Sequence, residues 1–207
     1  MTENVIPLFS TPVIHFKFEK HDDYVDQFKN WERIDRFPTT WSTPLNTSFP
    51  SICEDDPYVD SSVTNKLKDD IMFQLKTVML NQNLPTSLYY RCFWYNAYYQ
   101  GQGQEPHNHV SYDGTDPLWA GIYFAKNCYP GQLVFSKTDY SHRSQQWFDW
   151  DESELRTYYE ENVPTQFSTG DIILFPPHLF HSVKVDERNI DNQRLTFSFN
   201  ISHYEKL

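Results

Sequence analysis

Three histidines of the chain are spaced in a way that is typical of a metal site. His107 and His109 lie two residues apart, so their imidazoles project from the same face if this segment is extended. His181 follows far along the chain, at the start of another predicted strand. A lone histidine is most often structural, whereas imidazole is also the commonest metal ligand in proteins. The same-face pair and the distant third histidine together predict that His107, His109 and His181 bind one metal ion.

The segment 194–202 carries a second chemical signal, because its residues alternate strictly between polar and apolar. The apolar positions are Leu195, Phe197, Phe199 and Ile201. The polar positions are Arg194, Thr196, Ser198 and Asn200. We expect the apolar face to pack on helices and the polar face to line an interior, although a surface-facing sheet would give the same pattern. An inward arginine beside a hydroxyl forms a fork for a carboxylate.

The elements that must position these residues fall into two regions. Residues 1–86 are predicted to be helical support, with a strand within 5–18, a helix at 21–34 and an irregular loop at 35–58. Apolar residues at 3- and 4-residue spacing predict a further helix from Ser61 or Ser62 to Asn81. They are Val63, Leu67, Ile71, Leu75 and Val78.

After Pro85 the pattern changes to period two and short apolar runs. Strands are predicted at 88–100, 118–125, 132–135, 166–167, 171–175, 180–185 and 194–202, with a charged helix at 151–162. We therefore expect a mainly β fold with helical support (α+β), built as a sandwich or small barrel over residues 87–207. The length of 207 residues predicts a single domain, 1–207.

The composition narrows the classes of partner. With 17 Lys and Arg against 28 Asp and Glu, the net charge is −11, which argues against a broad surface for nucleic acid or an anionic membrane. No apolar run is long enough to span a membrane, and the N-terminus does not have the pattern of a signal peptide. Cys53, Cys92 and Cys128 are odd in number and widely spaced, which predicts free thiols and a cytoplasmic location. The oligomeric state is not predicted.

Residues 88–202 resemble the Fe(II)/2-oxoglutarate-dependent oxygenases, in particular a subgroup of short phage and bacterial members. The matching positions are Asn96, Gly101, His107, His109, Ala120-Gly121-Ile122-Tyr123-Phe124, Gly170-Asp171, Phe175-Pro176, His181 and the run from Arg194 to Asn200. The resemblance implies a double-stranded β-helix (a cupin-like jelly roll) with N-terminal helices packed on one sheet. It also allows a phage-encoded protein that acts in the host cytoplasm.

The resemblance further implies the cofactors and their sites. Fe(II) would be held by the three histidines, with 2-oxoglutarate as co-substrate and O2 as oxidant, giving succinate and a hydroxylated product. The far carboxylate of 2-oxoglutarate would pair with Arg194, helped by Thr196 or by Tyr123, where the family often places a tyrosine. Tyr98 and Asn96 would complete the pocket. The substrate is not readable, and a prolyl, peptide or small-molecule substrate is an analogy from the fold alone.

One position departs from the wider family, whose metal triad is His-x-Asp/Glu…His. His109 stands at the carboxylate position, so the site is one unit more positive, and imidazole also suits Zn, Cu and Ni. Asp113, at the glutamate position of the generic cupin pattern, and Glu105 are alternative carboxylate ligands. His178 lies three residues before His181 and is predicted to point elsewhere.

Two rival interpretations stay open at this point. The first is a metal-binding cupin of another class, such as a 2-oxoglutarate-independent dioxygenase or an isomerase. The second is a non-catalytic phage β-module. Arg194 on the inward face favours the oxygenase over the first, and the presence of all three histidines argues against the second.

Overall fold

The computed structural model describes residues 11–29, 31, 45–49, 61–110, 116–136, 162–185 and 193–204. The strands of this part are β1 (Ile14–Lys17), β2 (Asn46–Thr47), β3 (Leu88–Tyr98), β4 (Gln104–His107), β5 (Trp119–Lys126), β6 (Leu133–Ser136), β7 (Asn162–Pro164), β8 (Asp171–Phe175), β9 (Phe180–Val183) and β10 (Arg194–His203). The helices are a 3-10 turn (His21–Tyr24), α1 (Val25–Lys29) and α2 (Ser62–Asn81).

The strands form two sheets in which all neighbours are antiparallel. The larger sheet has the strand order β1-β8-β5-β10-β3-β2, and the smaller has the order β4-β9-β6-β7. One apolar core lies between the helices and the larger sheet, and a second lies between the two sheets. This arrangement confirms the predicted mainly β fold with helices packed on one sheet.

Strand β10 separates the two cores, as its alternation predicts. Its odd-numbered residues, Leu195, Phe197, Phe199 and Ile201, are fully buried in the core on the helix side. Its even-numbered residues from Arg194 to Ser198 are also buried, but they line a pocket between the sheets. The alternation therefore reflects two interiors and not a solvent-facing sheet.

Helix α2 begins and ends close to the predicted residues. The Ser61 hydroxyl accepts a hydrogen bond from the backbone N–H of Thr64 at 3.1 Å and so caps the first turn. Leu67, Ile71 and Leu75 are fully buried, and Met79 takes the last buried position, while Val78 is only half-buried. The stripe continues at four-residue spacing, which explains why the residue after Val78 packs inward.

Of the helix predicted at 21–34, residues 21–29 form a 3-10 turn followed by α1, Trp31 is not helical, and residues 30 and 32–34 lie outside the described ranges. The tighter turn brings Tyr24 inward, so that the buried residues are Tyr24, Phe28 and Trp31, and Val25 is half-buried. Strand β1 covers only the end of the strand predicted within 5–18, whose first residues lie outside the described ranges.

Two other predictions differ from the structure, and a third falls mostly outside the described residues. Residues 166–167 are not a strand: the pairing with β6 runs through β7 and continues with the Thr165 N–H, which donates to the Leu133 carbonyl at 3.0 Å. Strand β2 lies within the predicted irregular loop 35–58, which is otherwise mostly outside the described residues. The predicted helix at 151–162 also lies outside them, except for Asn162 at the start of β7.

Within the described residues, no helix is both long and apolar enough to cross a membrane.

Candidate active site

The three predicted histidines come together at one end of the smaller sheet. His107 ends β4 and is the register partner of His181 in β9, with ring centroids 4.2 Å apart. His109 lies two residues beyond β4, where its backbone N–H donates to the Pro177 carbonyl at 2.8 Å. One ligand nitrogen from each ring lies within 4.8 Å of the other two, which is within reach of a single ion.

The hydrogen bonds of the rings determine which nitrogens face a metal. Nδ1 of His107 lies 2.8 Å from the Glu105 carbonyl oxygen, and Nδ1 of His181 lies 3.1 Å from the Leu179 carbonyl oxygen. Nδ1 of His109 lies 2.6 Å from Oδ1 of Asn200. Because these oxygens only accept, each Nδ1 carries the proton, and each Nε2 is left unprotonated. This is the usual tautomer arrangement of metal-ligating histidines.

Burial keeps these imidazoles in the neutral form that binds metals. It lowers the pKa of His107, lowers the pKa of His109 to about 4, and lowers the pKa of His181 well below its ordinary value. Three neutral, converging nitrogen donors fit a divalent transition metal such as Fe(II).

The alternative ligands do not join this cluster in the described residues. Glu105 offers its backbone carbonyl to His107 and is not part of the group of possible ligands, whereas Asp113 lies outside the described ranges. His178 is exposed and also stays outside the cluster.

The histidines open onto a pocket between the two sheets. Arg194 lies in its wall with only 3% of the residue exposed, and its guanidinium carbon lies 4.5 Å from the centre of the Tyr98 ring. Nε of Arg194 is buried without a hydrogen-bond acceptor, and among the described residues no carboxylate forms an ion pair with this guanidinium. Tyr98 is held in turn by its hydroxyl, which donates to Oε1 of Gln104 at 3.1 Å.

Thr196 and Ser198 follow Arg194 along the same face of β10 and also line the pocket. Asn96 lies beside them on β3, as the register partner of Thr196. Its Nδ2 donates to the Ser198 hydroxyl at 3.1 Å, and its Oδ1 accepts from the Thr47 hydroxyl at 2.7 Å. Asn96 therefore orients the wall of the pocket and does not itself line it.

Tyr123 does not lie at this site, contrary to the sequence expectation. Ile122 and Phe124 face the core between the sheets, so the period of two turns Tyr123 to the helices. There it is fully buried, and its hydroxyl lies 2.6 Å from Nδ1 of His21. This side chain is thus part of the core that holds the helices on the larger sheet.

Sequence reasoning did not place Gln104, Leu133 or Val183 in the pocket, and it missed the contact between Asn200 and His109. Trp94 also lines the pocket, on the same face of β3 as Tyr98, as the two-residue period indicates. Nothing in the local sequence signals Gln104 or the pairing of Asn200 with His109.

The fold and the site define a 2-oxoglutarate-dependent Fe(II) oxygenase. Residues 92–200, just over half of the chain, match the family described as "Putative 2OG-Fe(II) oxygenase". The chain belongs to this family.

Solved structures with the same fold belong to enzymes of this kind. A Pseudomonas putida prolyl-4-hydroxylase has a TM-score of 0.57 at 13% identity, and the match covers 95% of each chain. HygX from Streptomyces hygroscopicus, solved with nickel, 2-oxoglutarate and hygromycin B, has a TM-score of 0.55 at 14% identity over 93% of this chain and 83% of its own.

A viral collagen prolyl hydroxylase from Paramecium Bursaria Chlorella virus-1, in complex with 2-oxoglutarate, has a TM-score of 0.52 at 9% identity over 93% of this chain and 96% of its own. At these identities the likeness establishes the fold alone. The comparison with curated proteins gave no match.

Proposed function

We propose that His107, His109 and His181 hold Fe(II) in this oxygenase, and that 2-oxoglutarate bridges the metal and Arg194. The observation that carries the proposal is the pocket itself. It has three neutral imidazoles with unprotonated Nε2 atoms at one end and a buried guanidinium without a carboxylate partner among the described residues at the other.

A bound anion would suit the buried guanidinium of Arg194. A charge that is removed from water costs several kcal/mol unless it is paired and hydrogen-bonded. The aromatic face of Tyr98 compensates only part of this cost. A dicarboxylate such as 2-oxoglutarate would supply the partner, and the neighbouring Thr196 hydroxyl would add a further hydrogen bond.

The other residues of the pocket position and shield the reactants. Bound Fe(II), with O2, would supply the oxidative chemistry that converts 2-oxoglutarate to succinate and CO2 and hydroxylates the substrate. Apolar side chains of Ile122, Leu133 and Val183 line the same pocket and reduce its water content, which strengthens the electrostatic contacts of Arg194.

We propose that the substrate is a peptide or a small molecule and that the protein acts in the cytoplasm. The net charge of −11 disfavours nucleic acid. Two of the structural neighbours are prolyl hydroxylases, and HygX was solved with hygromycin B, so both classes belong in a substrate screen. The free thiols of Cys92 and Cys128 support a reducing compartment.

The experiment that tests the proposal is succinate release from 2-oxoglutarate by the purified protein with Fe(II) and O2. We expect slow release without substrate, and faster release with the correct one, whose product gains the mass of one oxygen. His181→Ala should abolish release and weaken Fe(II) binding at least about tenfold. His178→Ala, three residues away and exposed, is the matched control and should change neither.

The rival metal cupin predicts a different outcome. In that case the wild-type protein would bind Fe(II) through the same histidines but would neither bind nor consume 2-oxoglutarate. A protein without metal affinity would instead favour the non-catalytic β-module.

A further inference from the structure

Asn200 lies at the end of the polar face of β10, next to an irregularity of the sheet. The pairing of β10 with β3 shifts register between Asn200 and Ile201. Here Oδ1 of Asn200 lies 2.6 Å from Nδ1 of His109, in a different part of the sandwich.

His109 depends on this contact more than the other two histidines depend on theirs. His107 and His181 are paired across β4 and β9, so the ladder of the smaller sheet fixes their backbones. His109 lies beyond the end of β4, where its hydrogen bonds are those to the Pro177 carbonyl and to Asn200. Its ring also contacts Trp94 and Phe175, which belong to the larger sheet. The ring is therefore oriented from the larger sheet.

Asn200 is the register partner of Cys92 on β3. Burial raises the pKa of the Cys92 thiol, and hydrogen bonding with Asn200 opposes this rise.

From these contacts we infer that Asn200 is a positioning residue of the metal site, which holds the His109 ring so that its Nε2 completes the ligand set. The inference rests on the metal site proposed above. Partners of the second ring nitrogen fix the tautomer and the direction of a metal-ligating histidine, and their loss weakens metal binding. An amide at this place performs that role without adding a negative charge.

The test is to measure Co(II) binding to the metal-free protein by titration calorimetry and by the visible absorption of Co(II), which reports its coordination. We expect Asn200→Ala to raise the Kd by about 10- to 100-fold and to change the spectrum. Asn200→Asp keeps an acceptor oxygen of the same reach and should bind at least as tightly as the wild type. Ser202→Ala, the next residue on the same strand face, should bind as the wild type does.

The outcomes separate this inference from the proposed function. If the wild type binds Co(II) and the His181→Ala variant does not, the assignment of the metal site is supported. An Asn200→Ala variant that then binds within twofold of the wild type, with an unchanged spectrum, overturns the role of Asn200. If Asn200→Ala does not fold, an Asn200→Asp variant that folds but binds more than tenfold more weakly also overturns it. A wild type without affinity for Co(II) overturns both.

Discussion

Replacing Arg194 with alanine removes the one cation that the described residues place in the pocket wall. The guanidinium has no carboxylate partner among those residues, so its loss leaves no buried anion behind. The metal ligands belong to other strands, and the apolar face of β10 is unchanged. We therefore expect Arg194→Ala to fold and to bind metal with the affinity of the wild type.

The expected loss concerns 2-oxoglutarate alone. A hydrogen bond to a charged group contributes about 1.5–3 kcal/mol, and every 1.4 kcal/mol is a factor of ten in affinity. The Kd for 2-oxoglutarate should then rise by about 10- to 100-fold. The Kd of Arg194→Lys for 2-oxoglutarate should lie between those of the wild type and of Arg194→Ala, because lysine keeps the charge but cannot offer two parallel N–H donors.

The assay is calorimetric titration of the Mn(II)-loaded protein with 2-oxoglutarate and with 2-oxobutyrate, which lacks the distal carboxylate. The wild type should prefer 2-oxoglutarate, and Arg194→Ala should lose most of that preference while its affinity for 2-oxobutyrate stays the same. Unchanged binding of 2-oxoglutarate would refute the assignment. An equal loss for both ligands would show that the substitution damages the pocket in general.

Two substitutions and one mass measurement test the packing, an ion-pair cluster and the free thiols. Gly121→Ala should lower the free energy of unfolding in urea by about 1–3 kcal/mol or more, because a Cβ there collides with the buried Phe199 ring; wild-type stability would contradict the packing. Burial raises the pKa of Asp171, but hydrogen bonds from Lys17 and His15 outweigh this and hold it below its ordinary value. The ionised Asp171 carboxylate therefore stabilises the fold fully above about pH 4, and this stabilisation is lost as the pH falls through the lower folded pKa. Asp171→Asn should make the free energy of unfolding less dependent on pH in the acid range. An unchanged pH dependence would count against these ion pairs. Mass analysis without reductant should show no loss of hydrogen from Cys92 or Cys128, whereas a disulfide at either would contradict the structure.

The sequence predicted those parts of the site that depend on local periodicity. The spacing of His107 and His109 and the alternation of β10 each identify a face without knowledge of the neighbouring strands. Tyr123 was misplaced because β5 is buried on both sides, so its residues 120–125 are apolar throughout and the pattern does not show which of them face the pocket.

Contacts between distant segments could not be read from the sequence. The bond between Asn200 and His109 joins residues of different sheets, and the bond between Tyr123 and His21 joins a strand to the 3-10 turn. Each depends on how the layers stack, which no local pattern records. The N-terminal half was predicted best at α2, where the cap and a long apolar stripe agree.

The position of β10 between the two cores has a consequence for how this enzyme can change. Successive residues of this strand have different surroundings: Phe197 and Phe199 pack in the helix-side core, whereas Thr196 and Ser198 line the pocket. Under the proposed function, substitutions at Thr196 and Ser198 would alter which acid or substrate is accepted and would leave the helix-side packing intact. A directed-evolution library confined to Thr196 and Ser198 should yield mostly folded variants, and the same diversity at Phe197 and Phe199 should yield mostly insoluble ones.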